Sequence, residues 1–152
     1  MQFQAFAGAG HGPWRDQPDA AMAAMARERG ATLFRLVDLT RDWNARHGGV
    51  YVPVTPDTQP NPYLEHPRRD LRSDDGRVLT MINPAYMTRQ IAEIAQQAEG
   101  IQLHLTSLKP IRPGNAPDAW EAAALARFEA GVSEVSELIP GAEPVYRYMA
   151  PL

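Results

Sequence analysis

Apolar side chains recur every three or four residues along the first third of the chain, at Met22, Met25, Leu33, Leu36, Val37 and Trp43. That is the helical period, and it predicts one long helix with a single apolar face. Asp16-Gln17-Pro18-Asp19 supplies its start: a capping carboxylate, a proline suited to the first turn, and an acid at the positive end of the dipole. The helix should run to about Arg46, where Gly48-Gly49 stops it. Residues 1–15 lack such a pattern and read as a loose leader. They have neither the basic start nor the apolar run of a signal peptide.

Beyond the helix the period shortens. Residues 50–54 are β-branched and aromatic, hence a strand, with Pro53 pushing it towards a sheet edge. Pro56, Pro60, Pro62 and Pro67 allow no helix, so residues 55–67 should be an ordered loop. Ser73-Asp74-Asp75-Gly76 reads as a turn before a strand over residues 77–82. Asn83-Pro84 caps a second helix, to about Glu99, closed by Gly100. Residues 101–108 alternate: Ile101, Leu103 and Leu105 on one face, Gln102, His104 and Thr106 on the other. A third helix should start in Asn115-Ala116-Pro117-Asp118 and end near Gly131. Residues 132–139 and 145–149 then form a hairpin around Pro140-Gly141. Helices interrupting a sheet with hairpin-linked last members predict an α+β fold with a mainly antiparallel sheet. A long entry helix with flanking helices gives it a PAS-like outline, with residues 16–152 as one domain.

Composition narrows the function classes. Net charge is −3 and evenly spread, with no basic stripe, so nucleic acid is not an expected partner. No apolar run approaches the ~20 residues of a membrane span. Cysteine is absent, which removes disulfides, thiolate nucleophiles and Cys-ligated metals. No Gly-x-Ser-x-Gly elbow, His-x-x-x-His pair or phosphate-binding glycine loop occurs. Nothing therefore predicts an enzyme. His11 and His66 sit in loose or proline-rich stretches. His47 ends a helix, where a cation suits the dipole. His104 lies mid-strand and either is a satisfied half-buried side chain or faces a ligand cavity. Tyr51, Asn61, Tyr63, Asn83, Tyr86, Arg89 and Lys109 gather at element ends and loops, where ligand contacts collect. The plain alternative for these is capping and loop locking.

Six ordered segments carry a resemblance: Trp43-Asn-Ala-Arg-His-Gly-Gly-Val-Tyr-Val-Pro-Val54, Gln59-Pro-Asn-Pro-Tyr-Leu64, Leu79-Thr-Met-Ile-Asn-Pro-Ala-Tyr-Met-Thr-Arg-Gln90, His104-Leu-Thr-Ser-Leu-Lys-Pro110, Asn115-Ala-Pro-Asp-Ala-Trp-Glu121 and Arg147-Tyr-Met-Ala-Pro-Leu152. Over residues 20–152 the chain resembles the c-type-haem, PAS-like sensor domains of bacterial histidine kinases and diguanylate cyclases. The resemblance implies an extracytoplasmic, periplasmic module that senses redox state, a gas or a small ligand. It implies haem or a small molecule as partner, and a membrane only through a flanking segment. In many relatives Met-Ala-Pro-Leu is soon followed by Cys-x-x-Cys-His, the haem attachment. Here the sequence stops at Leu152, so it is expected to be either a truncated haem domain or a haem-free relative. Haem c is then expected only in a longer protein. The expected ligand-binding set is His47, Tyr51, Asn61, Tyr63, Asn83, Tyr86, Arg89, His104, Lys109 and Trp120, with no metal ligand. Three other readings stand beside the sensor: a small free-standing haem- or metabolite-binding protein, a small enzyme using His104, Lys109 and Arg89, and a structural module that dimerises through the first helix at Leu33 and Leu36.

Overall fold

The structure of the protein, a computed structural model, describes the backbone of residues 2–6 and all of residues 20–152. Its elements are β1 (Gln2–Phe6), α1 (Ala20–Arg46), β2 (Val50–Pro53), β3 (Asp70–Arg72), β4 (Val78–Ile82), α2 (Pro84–Glu99), β5 (Gln102–His104), α3 (Ala119–Glu129), β6 (Val135–Ile139) and β7 (Val145–Met149), with a 3₁₀ turn at Pro113–Asn115. The fold is α+β. The strands form two antiparallel sheets, one in the order β5-β1-β7-β6 and a smaller one in the order β2-β4-β3.

The four-stranded sheet lies between helices. Successive residues of a strand face opposite ways, and β7 is buried on both faces. Tyr146 and Tyr148 pack with Ala31, Phe34 and Val37 of α1. Met149, on the other face, packs with Ala124 of α3 and Val135 of β6. The alternation expected over residues 101–108 is seen: Ile101, Leu103 and Leu105 join the α1 side of the core. Helix α2 lies against α1, β4 and β5.

The apolar face of α1 needs correction. Met22, Met25, Leu36 and Trp43, counted as core-facing, are 59%, 73%, 57% and 55% exposed. Of that set only Leu33 and Val37 reach the core. The buried stripe runs instead through Gly30, Ala31, Phe34, Val37 and Asn44. Small residues let the helix backbone approach the sheet: a Cβ on Gly30 would meet the Cβ of Tyr148 at 2.8 Å. A count weighted by side-chain size misplaces the stripe, because the close approach at Gly30 and Ala31 admits only small side chains there.

Two strands were unforeseen. Gln2–Phe6, expected to belong to the loose leader, forms β1 between β5 and β7; its polar–apolar alternation, Gln-Phe-Gln-Ala-Phe, is short but strand-like. β3 is only three residues long and too short to show a period. The expected strand over residues 101–108 pairs only across Gln102–His104. The Asp16–Asp19 helix start lies outside the described residues. Asn83 caps α2 as expected, accepting a bond from the Tyr86 N–H, and Gly100 closes it at φ 64°. The cap of α3 is Asp118; Asn115 belongs to the preceding 3₁₀ turn.

Candidate functional site

The start of α2 fixes one wall of a cleft. Asn83 accepts from the Tyr86 N–H at 2.9 Å, which sets the first turn and carries Arg89 onto the same side one turn later. The Tyr86 ring is buried, and its hydroxyl donates to the Gln59 carbonyl at 2.6 Å, tying down the proline-rich loop. In that loop Asn61 is buried, and its side chain accepts from the Tyr63 N–H at 3.1 Å. This Asx turn presents Tyr63 beside α2. The Arg89 guanidinium stacks on the Tyr86 ring, 4.4 Å from its centre.

β5 and the loop after it make the opposite wall. Thr106 donates to the Asn115 carbonyl at 2.8 Å, and the Lys109 N–H donates to Ser107 Oγ at 3.2 Å. These bonds fold residues 105–115 back along α2. The resulting cleft has a volume of ≈ 430 Å³. Of the ten residues expected at a ligand site, Asn61, Tyr63, Asn83, Tyr86, Arg89, His104 and Lys109 line it, together with Leu103, Leu105, Ile111, Arg112 and Asn115.

The other three lie elsewhere. His47 is exposed, held by a 2.7 Å contact from Nδ1 to the Trp43 carbonyl and stacked on the Trp43 ring. Tyr51 donates to the Arg68 carbonyl, fastening β2 to the proline-rich loop. Trp120 packs on the α3 side of the large sheet, where its indole N–H donates to Glu137 at 2.7 Å and Arg147 stacks on its ring at 4.4 Å.

His104 bridges the cleft to a charge network that runs through the buried Glu121 and Arg147 and the exposed Asp118. Its Nδ1 meets Glu121 Oε1 at 2.6 Å and its Nε2 meets the Gly114 carbonyl at 3.0 Å. A carbonyl only accepts, so Nε2 carries a proton. The Glu121 bond, first, and the Gly114 carbonyl then raise the His104 pKa above its ordinary value, against burial, which lowers it. Glu121 is 2% exposed and also accepts from the Asp118 N–H at 2.7 Å, completing a capping box. Asp118 in turn accepts from Arg147 at 2.6 Å. Burial pushes the Asp118 carboxyl up, but bonds from the Glu121 N–H and Arg147 prevail and hold it below the usual range. Sequence reasoning missed Glu121, Asp118 and Arg147. The Asp-x-x-Glu spacing was visible as a capping box, but its alignment with His104 depends on the sheet.

With both ring nitrogens engaged, His104 is neither a free base nor a free ligand. Among the described residues no group of three or more His, Cys, Asp or Glu could hold a metal ion. The sequence holds no cysteine, so these residues offer no thiol for a thioether link, and they do not fit a covalently held haem. No helix among the described residues is long and apolar enough to cross a membrane.

The domain is α+β with an open cleft, and among the described residues its one half-buried histidine is held in a hydrogen-bond network. The chain belongs to the Tll0287-like family, whose model matches residues 19–152. This is a family of c-type haem sensor domains and not a known enzyme family. Neither a curated protein nor a solved structure matches the chain.

Proposed function

We propose that the chain is the ligand-sensing input domain of a bacterial signal-transduction protein, working on the extracytoplasmic side, and that the α2–β5 cleft receives the ligand. One observation carries this reading: seven side chains picked from sequence for their chemistry converge on a single ≈ 430 Å³ cleft. That size falls within the ~300–1,000 Å³ of small-molecule sites. The PAS-like reading is supported by a sheet whose first and last strands, β1 and β7, are neighbours at its centre. A route for the signal runs from His104 through Glu121 and Asp118 to Arg147 on β7, next to Tyr148, which packs on α1. Haem c enters this account only through a longer chain that supplies Cys-x-x-Cys-His.

The test is a melting-temperature screen of small metabolites, with haem alongside and its Soret band recorded, on the wild type and on Ala92→Trp. Ala92 lines the cleft, and an indole there fills it. A ligand at ~100 times its Kd adds about 2.7 kcal/mol, or roughly 5–10 °C for a domain of this length. The reading expects such a rise in the wild type and its loss in Ala92→Trp. A rise that survives the substitution places the ligand elsewhere and overturns the proposal.

A homodimer through α1 has its own support. The exposed Met22, Met25, Leu36, Leu39 and Trp43 fall on alternating steps of three and four, completed by Arg29 and Thr32. This is the 3.5-residue period of a coiled-coil seam, and it extends ~32 Å along the helix at ~1.5 Å per residue. Leu36→Glu with Leu39→Glu should convert a dimer to a monomer on a sizing column with light scattering. Leu33, packed against the core, is not part of that seam.

A further inference from the structure

The charges around the cleft are of one sign. Arg89, Lys109 and Arg112 line it, and no aspartate or glutamate does, although acids outnumber bases 18 to 15 along the chain. Elsewhere six arginines pair with carboxylates: Arg27 with Glu134, Arg35 with Glu28, Arg46 with Asp42, Arg69 with Asp70, Arg77 with Asp75 and Arg147 with Asp118, while Arg41 and Arg72 donate to uncharged oxygens. Among the described residues the cleft cations have no such partner. Arg89 lies over the face of Tyr86. Arg112 has one long bond, at 3.3 Å, to the neutral Asn115 amide. Lys109, the only lysine in the sequence, makes no ion pair through its ammonium among the described residues. Three like charges around a partly apolar cleft repel one another, and a counter-charge between them relieves that repulsion. Leu103, Leu105 and Ile111 line the same space, so the occupant needs an apolar body as well as a charge.

From this geometry we infer that the cleft binds a small organic acid, its carboxylate held by Arg89 and Lys109 and its apolar part lying against Tyr86 and Ile111. The inference rests on reading the cleft as the ligand site and adds the ligand's class. The guanidinium suits a carboxylate because its N–H groups form a planar fork, and it sits over the Tyr86 ring, 4.4 Å from the centroid, at the cleft wall. The lysine adds a mobile point charge at the cleft rim.

The test titrates the full chain with benzoate, phenylacetate and glutarate, each beside its neutral amide, by calorimetry and by amide chemical-shift mapping. Expected is saturable binding of at least one acid, with shifts centred on Tyr86, Arg89 and Leu103, and at least ~10-fold weaker binding of its amide. That ratio corresponds to about 1.4 kcal/mol. Raising NaCl from about 0.05 M to about 0.5 M should weaken the acid several-fold, because it shortens the screening length. Arg89→Gln and Lys109→Gln should each weaken the acid about 10-fold and leave the amide's affinity alone. Arg127→Gln, on α3 and outside the cleft, should change neither. Equal binding of acid and amide within the cleft overturns the anion inference and leaves the cleft reading intact. Shifts centred away from the cleft, or no binding by any acid or amide, overturn both.

Discussion

Replacing Glu121 with glutamine should destabilise the fold more at acid pH than at alkaline pH. Glutamine keeps the shape of the side chain and can still accept from the Asp118 N–H, so the capping box survives as a neutral bond. What it loses is the charge opposite His104, 2.6 Å away. A hydrogen bond to a charged group contributes ~1.5–3 kcal/mol and a neutral one ~0.5–1.5. The exchange at His104 therefore costs about 1–2 kcal/mol. His104 is a third exposed, so solvent screening places the cost at the lower end of that range. Arg147 loses a second carboxylate at 4.0 Å and keeps Asp118 at 2.6 Å, which adds a few tenths at most. The sign with pH follows from His104, whose folded pKa lies above the ordinary 6.5. Its contribution is complete below about 6.5, fades as pH rises through the folded value, and is absent above it. Urea unfolding of wild type, Glu121→Gln, His104→Gln and the double variant, at pH 6 and at pH 9, isolates the pair. A coupling near 1 kcal/mol at pH 6 that falls towards zero at pH 9 is expected. A coupling equal at both values, or zero at pH 6, refutes the assignment of a charged histidine–carboxylate bond.

Two further substitutions test how the cleft is held. Gly30→Ala gains about 1 kcal/mol of helix propensity but drives a methyl to within 2.8 Å of the Tyr148 Cβ. That ring is anchored by a 2.8 Å bond to Glu134 and is buried, and overpacking costs ~1–3 kcal/mol. A net loss of stability is expected in calorimetry, and a stabilised variant would contradict the close helix–sheet contact. Asn83→Ala removes the cap of α2, at a cost of about 1 kcal/mol. It should weaken any cleft ligand as well, because the cap sets the turn that carries Tyr86 and Arg89; unchanged affinity would show that the wall is positioned by something else.

Where local chemistry determines local structure, the chain was readable. Asn83-Pro84 and Gly100 bound α2 because capping needs only neighbouring residues. The same holds for the turn at Ser73–Gly76, where the Gly76 N–H returns to the Ser73 carbonyl at 2.9 Å. The convergence of Asn61, Tyr63, Tyr86, Arg89 and Lys109 was legible as a tendency of polar and aromatic side chains to collect at element ends. Partnerships between distant segments were not. Trp120 and His104 both looked available for a ligand, yet Trp120 is claimed by Glu137 and Arg147, and His104 by Glu121 and Gly114. These contacts depend on which face of the sheet each strand presents: for Trp120 that is set by the pairing of β6 with β7, and for His104 by the pairing of β5 with β1, whose five residues carry too short a pattern to announce it. The face of α1 was misjudged for a related reason: burial there follows how closely Gly30 and Ala31 approach β7, not how apolar a side chain is.

The most direct measurement is a crystal structure of the chain grown with a saturating acid that raises its melting temperature. The account predicts density between α2 and the loop of residues 105–115, with a carboxylate within hydrogen-bond reach of Arg89 or Lys109. Density seated on another surface, with the α2–β5 cleft holding only solvent, would contradict it.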